Sequence, residues 1–315
     1  MKPTITVAIC TWNRGALLDQ TLQQMRALSV PRSCEWEIII VNNNSTDATE
    51  AVIEKHRAAL PLINVFEPRQ GLSHARNAAV RRARGEFVIW TDDDVLVDTE
   101  WLVAYENAFE RHTEAAVFGG KVLPWFETAP PEWLERNLDR LGRYFALRDF
   151  GDDERPLPKG QNPYGANMAF RFEVLKRHFF DPKLGRRGNL LVSGEDAQVL
   201  RKIRDAGGQI MWVPTSVVRH FLPKQRMTLR YLRELHYSNG RYEKGPITDP
   251  GPNIGGLPLW TAAEYFKHEA KFHLGRILKY RSYGWIDNMI AASSIAGRLA
   301  ATRAAQRAVR NAAKE

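Results

Sequence analysis

Two hydrophobic periods alternate over the first 120 residues. The runs at 5–10 (ITVAIC), 37–43 (EIIIVNN), 63–68 (INVFEP) and 86–90 (EFVIW) are short and rich in β-branched and aromatic side chains, which predicts strands. Between them, residues 15–28, 47–59 and 73–83 carry the helical period. Strands alternating with helices predict parallel pairing through right-handed crossovers, and so an α/β fold on a doubly wound, mostly parallel sheet with flanking helices. Such sheets bind ligands outside the carboxyl ends of their strands. The residues after each strand are therefore the ones to weigh.

Those residues are polar. Thr11-Trp12-Asn13-Arg14 follows the first strand, Asn42-Asn43-Asn44-Ser45-Thr46-Asp47 the second, and Thr91-Asp92-Asp93-Asp94 the fourth. Neither G-x-G-x-x-G nor G-x-x-x-x-G-K-[ST] occurs, which argues against a nicotinamide dehydrogenase and a P-loop enzyme.

Past residue 120 the pattern loosens. Residues 121–163 hold six prolines and the cluster Asp152-Asp153-Glu154, and read as a variable insert or mobile loop beside the site. Order returns at Gly165-Ala166-Asn167-Met168-Ala169-Phe170 with a short helix after it. A glycine-rich stretch (185–194) follows, then Glu195-Asp196 opening a helix to about 206, and a strand at 209–214 leading to His220. From 223 onward the chain reads as helical, broken by the Pro/Gly segment 245–258. This organisation predicts a catalytic part over 1–222 and a helical extension over 223–315.

Composition narrows the class. A length of 315 residues fits about two domains. With 44% apolar and 26% charged residues, disorder, collagen-like repeats and coiled coil are excluded for the bulk of the chain. Cys10 and Cys34 are too few for a disulfide framework or a cysteine zinc site and suit a reducing compartment. The N-terminal run enters a strand pattern without an apolar leader, and no run of 18 apolar residues occurs, so a cytoplasmic protein is expected. The net charge of +9 is uneven: residues 1–120 carry 12 Lys/Arg against 16 Asp/Glu, whereas 223–315 carry 16 against 7. A basic last third invites an anionic partner, or is a solvated helical face. Nucleic acid is disfavoured, because the basic residues lack interleaved stacking aromatics.

Three consecutive aspartates at a strand end raise one another's pKa unless a cation neutralises them. A divalent Mn2+ or Mg2+ on carboxylate oxygens is one answer; an exposed acidic start to the helix near Asp98 is the other. Arg76, early in the helix after strand three, reads as a base or phosphate contact or as a surface arginine. Glu195-Asp196 reads as a general base at the mouth of the sheet or as plain helix capping. His220 reads as a metal ligand or as a satisfied histidine after a strand.

Taken in order, the blocks Cys10–Arg14, Val41–Asp47, Gly71–Asn77, Gly85–Asp94, Gly165–Phe170, Gly194–Asp196 and Val218–His220 resemble a family-2 glycosyltransferase of the GT-A fold, over about residues 4–222. The resemblance implies an inverting enzyme using a nucleoside-diphosphate sugar, UDP first among the candidates. It sets Thr11, Trp12, Arg14, Asn42, Asn43 and Arg76 around base and ribose, with Asp92 and Asp93 on the donor side. Trp12 stands where the family usually has tyrosine or phenylalanine, and Asn42 and Asn43 where it often has an aspartate. Asp92 and Asp94 match the ends of the D-x-D motif, with Asp94 the more direct metal ligand and His220 approaching the metal. Asp196 matches the catalytic base, with Glu195 beside it, and Gly165, Ala166 and Asn167 position donor sugar and acceptor. The processive Q-x-x-R-W motif and membrane spans are absent, which points to one sugar per encounter. A role in polysaccharide or glycolipid assembly follows from the resemblance.

The apolar and basic residues of 286–315 segregate along a helix. It reads either as interfacial against anionic lipid at the inner face of the cytoplasmic membrane, suiting a lipid-linked acceptor, or as packed on the core or on a second copy in a homo-oligomer. A non-catalytic nucleotide- or glycan-binding scaffold and a metal-dependent nucleotidyltransferase are the alternatives to transfer. The intact Asp92–Asp94 and Glu195-Asp196 argue against the scaffold. The nucleotidyltransferase lacks a phosphate-gripping loop, since CTWNRGALL offers only Arg14 and Gly15.

Overall fold

The computed structural model describes residues 4–31, 34–186, 188, 194–242, 244–247, 253–254, 257–278 and 283–312. Most of the glycine-rich stretch 185–194 and Lys314 lie outside them. In chain order the elements are β1 (Ile5–Thr11), α1 (Gly15–Met25), β2 (Trp36–Asn42), α2 (Thr49–His56), β3 (Leu62–Phe66), α3 (Leu72–Arg82), β4 (Phe87–Asp92), β5 (Val95–Val97), α4 (Trp101–Arg111) and β6 (Ala115–Phe126). The single turns α5 (Glu132–Glu135) and α6 (Leu138–Leu141) precede β7 (Arg155–Pro156), β8 (Met168–Arg171), α7 (Phe172–Leu175), α8 (Glu195–Asp205) and β9 (Gln209–Leu222). The rest is α9 (Leu229–Tyr242), the hairpin β10 (Asn253–Ile254) and β11 (Leu257–Pro258), α10 (Leu259–Ile277) and α11 (Trp285–Ala312).

The strands run in the order β3-β2-β1-β4-β8-β6-β9-β5, with β7 on β9. The β3-β2-β1-β4 block is parallel throughout, and β8 is antiparallel to both β4 and β6. Alternation along the strands sends Val7, Ile9, Ile38, Ile40 and Ile89 to one core, against Leu18 and Leu22 of α1 and Trp101 and Tyr105 of α4. Ala8, Ile39, Val41 and Val88 go to the other, against Ala75 and Ala79 of α3 and Val199 and Ile203 of α8. Both faces are covered, as a parallel sheet requires.

The chain divides into two compact units. The segment expected as an insert splits: residues up to Phe126 complete β6, Thr128–Leu141 belongs to the second unit, and the remainder lies in the first. Pro124 hid the end of β6, because proline cannot donate to a ladder and demotes a strand reading. The later part is tied down as well: the Trp212 indole donates to the Gly151 carbonyl at 2.8 Å.

In the second unit α9 and α11 pack at backbone distance. A Cβ at Gly240 would fall 2.1 Å from the Ser294 carbonyl oxygen, and one at Gly297 2.0 Å from that of Tyr237. Ile286, Met289 and Ala292 of α11 are fully buried. No helix among the described residues is long and apolar enough to cross a membrane.

Candidate active site

Parallel register brings the polar strand ends to one edge. Cys10 lies opposite Asp92, and Thr11 opposite Asn42. Two loops there are cross-tied: the Asn13 amide donates to Ser45 Oγ at 3.0 Å, and the Thr46 amide to Asn13 Oδ1 at 2.7 Å. Trp12 is half-buried beside them, and Thr11 is buried.

Arg14, immediately before α1, braces the acidic turn between β4 and β5. Its Nη1 donates to Asp93 Oδ1 at 2.9 Å and to Asp94 Oδ2 at 2.8 Å. The Thr21 hydroxyl donates to the Asp93 carbonyl at 3.0 Å and fixes the same turn to α1. Burial, with Asp94 adding to it against Arg14, pushes the Asp93 carboxyl up to about 7.

His220 reaches this turn from within β9, not after a strand. Its Nε2 lies 3.4 Å from Asp94 Oδ1 and 3.9 Å from Asp92 Oδ2, and donor atoms of Asp92, Asp94 and His220 lie within 4.8 Å of one another. What places it is an irregularity in the strand, where pairing with β6 steps from Gly120–Val213 to Lys121–Val217. Asn167 holds that step. Its Nδ2 donates to the carbonyls of Ser216 (3.0 Å) and Lys121 (2.9 Å), while its Oδ1 accepts from Trp101 Nε1, Tyr105 OH and Ser216 Oγ.

A second acidic pair opens α8. Arg76, only 4% exposed, points its Nη1 at Asp196 Oδ1 and lies 3.4 Å from Glu195 Oε1. Its guanidinium also sits 5.1 Å from the Phe180 ring centre and 5.7 Å from that of Trp90. Burial opposes the charge on Arg76, and Asp196 with Glu195 more than restores it. Glu195 is buried, and burial followed by the neighbouring Asp196 raises its carboxyl to about 7. Asp196 is the more open of the two, its side chain 21% exposed against 9%. Gly165 presses on this pair: a Cβ there would fall 2.3 Å from Arg76 Nη2 and 2.8 Å from Asp196 Oδ2. The two acidic groups share one field, since Asp92 acts on Glu195 and Asp196 acts on Asp92.

Five carboxylates and two guanidiniums meet here. Such an excess of carboxylates disfavours a further anion and favours a cation. A divalent ion fits: Arg14 occupies one oxygen of Asp94 and the other faces His220, and two carboxylates with an imidazole are donors that Mn2+ or Mg2+ can take.

Residues 6–179 match the sequence profile of glycosyl transferase family 2. The chain belongs to that family. A family-2 glycosyltransferase is a nucleotide-sugar-dependent enzyme, which fixes the class of reaction. Among its relatives is the succinoglycan biosynthesis protein ExoM of Rhizobium meliloti, 28% identical over 246 residues, or 75% of this chain and 73% of that protein. The fold is that of solved GT-A enzymes. A mannosyltransferase from Pyrobaculum calidifontis in complex with GDP-Man and Mn2+ superposes with a TM-score of 0.58 at 21% identity, over 94% of this chain and 87% of that one. Staphylococcus aureus TarS 1–349 in complex with UDP-GlcNAc gives 0.55 at 18% identity, over 93% and 91%.

Within this family-2 enzyme, several side chains expected around base and ribose or sugar have other occupations. Arg76 holds the acidic pair of α8. Both amide protons of Asn43 go to the carbonyls of Glu67 (2.9 Å) and Arg69 (2.8 Å), and its oxygen accepts from the Gly71 amide. Asn42 is bonded to Glu50 and to the Ser45 amide. Asn167 is fully buried and saturated, and Ala166 is buried beside it. The polar atoms of Asn43 and Asn167 are thereby spent within the protein. Trp90, Phe180 and Tyr105 also support the site; in the sequence they read as ordinary core aromatics, and only the spacing of four that sets Trp101 and Tyr105 on one helix face hints at a shared partner.

Proposed function

We propose that this enzyme moves a single sugar from a nucleoside-diphosphate donor, UDP foremost, to a hydroxyl of a glycan or lipid-linked acceptor, with inversion at the anomeric carbon. The observation that carries the reading is the pairing of two acidic groups, one after β4 with the donor set for a cation, the other at the start of α8 with a carboxylate held by a buried arginine. Thr11 and Trp12 border the nucleotide side, Asp92 and Asp93 the donor sugar, and Gly165 the space above Asp196.

Asp196 Oδ takes the proton of the acceptor hydroxyl as that oxygen bonds to the anomeric carbon. The bond to the diphosphate oxygen breaks on the opposite face, so the configuration inverts and the nucleoside diphosphate leaves with the electron pair. Arg76 fixes the Asp196 carboxylate, and its aromatic walls keep that pair from swinging out. Asp92, Asp94 and His220 would hold the divalent ion, Mn2+ or Mg2+, which when bound supplies positive charge against the departing diphosphate. Arg14 keeps Asp93 and Asp94 oriented for that task. Such an enzyme serves polysaccharide or glycolipid assembly at the cytoplasmic face of a membrane.

Calorimetric titration of UDP, GDP, CDP and dTDP, with and without Mn2+, tests the reading on wild type and Asp94→Asn. The expected result is metal-dependent binding of UDP that the variant loses. Failure of a folded protein to bind any of the four would overturn it in favour of a non-catalytic scaffold.

A further inference from the structure

Of the two readings of the basic C-terminal helix, the buried residues of α11 favour packing. Ile286, Met289 and Ala292 of α11 are buried in the second unit, and its exposed residues Arg303, Arg307 and Arg310 alternate with alanines. The apolar face that remains open belongs to α10. Leu259, Phe266, Leu274 and Ile277 recur at helical spacing and are 45%, 68%, 58% and 75% exposed. Ala263 and Ala270 lie on the same face and are exposed too. The opposite side of α10 carries its anchors: Thr261 and Phe272 are buried, and Glu269 forms a two-pronged pair with Arg233 at 2.9 and 3.0 Å. This side is what fixes the helix to its unit, so the open face is presented from a rigid support.

Exposed basic residues border that face. Lys267, paired with Glu264 at 3.0 Å, and Lys271 stand along one margin, and Arg276 near the C-terminal end of the other, so that three basic residues border the face against one acidic. They belong to the third of the chain that holds 16 basic against 7 acidic residues. We propose that α10 is an interfacial helix that lies flat on an anionic lipid bilayer, with Leu259, Phe266, Leu274 and Ile277 entering the acyl boundary and the lysines meeting the headgroups. Its 19 residues cannot cross a bilayer with this charge content, and lying down they offer a contact about 28 Å long. Charge complementarity selects lipid over a second copy. A two-fold pairing of this face would bring together two copies of a border that is net positive even with Glu264 counted, within a region already carrying excess positive charge. An anionic surface instead gains attraction from that border. The inference does not depend on the donor or on Asp196, and its test needs neither.

Vesicle flotation of the full chain decides the matter, using phosphatidylcholine vesicles with and without phosphatidylglycerol, at low and high salt. The wild type is expected to float with the anionic vesicles only, and to be released by salt. Phe266→Glu/Ile277→Glu is expected to weaken the partition by at least about tenfold. Lys267→Glu/Lys271→Glu is expected to do the same on anionic vesicles. All these positions are exposed, and unchanged thermal midpoints and far-ultraviolet dichroism confirm that the variants fold. Equal flotation by the wild type and Phe266→Glu/Ile277→Glu would overturn the proposal, as would a wild type that ignores anionic vesicles. Sedimentation velocity without lipid supplies the remaining arm: a dimer dispersed by Phe266→Glu/Ile277→Glu would assign the face to a second copy and likewise overturn it.

Discussion

The guanidinium of Arg76 is bound to the carboxylate of Asp196 across 120 residues of sequence, inside a pocket of Trp90 and Phe180. A buried arginine that loses its partner, or a buried carboxylate pair that loses its arginine, is penalised heavily. Arg76→Ala leaves Glu195 and Asp196 facing each other without a counter-charge. The expected outcome is a fall in kcat of about 10²-fold, with the acid limb of the kcat/KM profile displaced to higher pH. Arg76→Lys keeps the charge and loses the fork, so it recovers the pH profile more than the rate. An unchanged profile in Arg76→Ala would remove the arginine from this task.

The neighbours Glu195 and Asp196 separate by substitution. Asp196→Asn is expected to lower kcat by about 10²–10⁴-fold with nucleotide binding retained, as loss of a general base does. Glu195→Gln is expected to affect rate far less and stability more. Glu195 titrates at about 7 in the folded protein, above its ordinary 4.5, so the fold holds a proton that the unfolded chain releases earlier. Its contribution to stability is complete below about 4.5 and is lost as pH rises through about 7. Glu195→Gln therefore matches wild type below about pH 4.5, gains on it as pH rises toward 7 and keeps that lead above. Thermal midpoints across that range, without added metal or nucleotide, check the sign.

Gly165→Ala tests how tightly the Arg76–Asp196 pair is seated. The added methyl must displace the Arg76 guanidinium or the Asp196 carboxylate, both within 3 Å of it. A loss of about 10–10²-fold in kcat with little change in donor KM is expected, since small misplacements of a reacting group carry such penalties. Equal loss in binding and turnover would place the effect elsewhere.

Asn167→Ala probes the strand step that delivers His220. It strips hydrogen bonds from the carbonyls of Lys121 and Ser216, the Trp101 indole and the Tyr105 hydroxyl, all within the core. A loss of about 3–5 kcal/mol is expected. For a protein of this size that corresponds to a drop of roughly 6 °C or more in Tm, readable by calorimetry. Mn2+ affinity should fall with it, because His220 follows the step.

The parallel block was legible because β1, β2, β3 and β4 are short β-branched runs whose alternation serves two buried faces. The structure begins these strands within one residue of the expected positions. β5 was not legible: three residues carry no period, and the strand exists only because β9 extends far enough to pair with it. Asp92, Asp94 and His220 could be collected from motif order, and they do converge. The neighbours of Arg76 could not, since nothing local in a helix after β3 announces a carboxylate from α8. The hydrogen bonds of Asn43 and Asn167 are hidden in the sequence for a related reason. A polar residue at a strand end looks available to a ligand until the backbone groups of distant loops are placed around it. For the basic C-terminal helix, composition counts arginines but does not say which apolar stripe is already covered, so it could not choose between the interfacial and the packed reading.

The glycines at the crossing of α9 and α11 act as two notches in one key. A slide of one turn, about 5.4 Å, would carry Ser293 or Ala301 onto the Tyr237 carbonyl, where only a hydrogen atom has room. The helices therefore have a single seating, and no neighbouring register is available as a partly opened form. Amide hydrogens in the middle of α9 and of α11 should then exchange with solvent at one shared rate, released together in a single opening event.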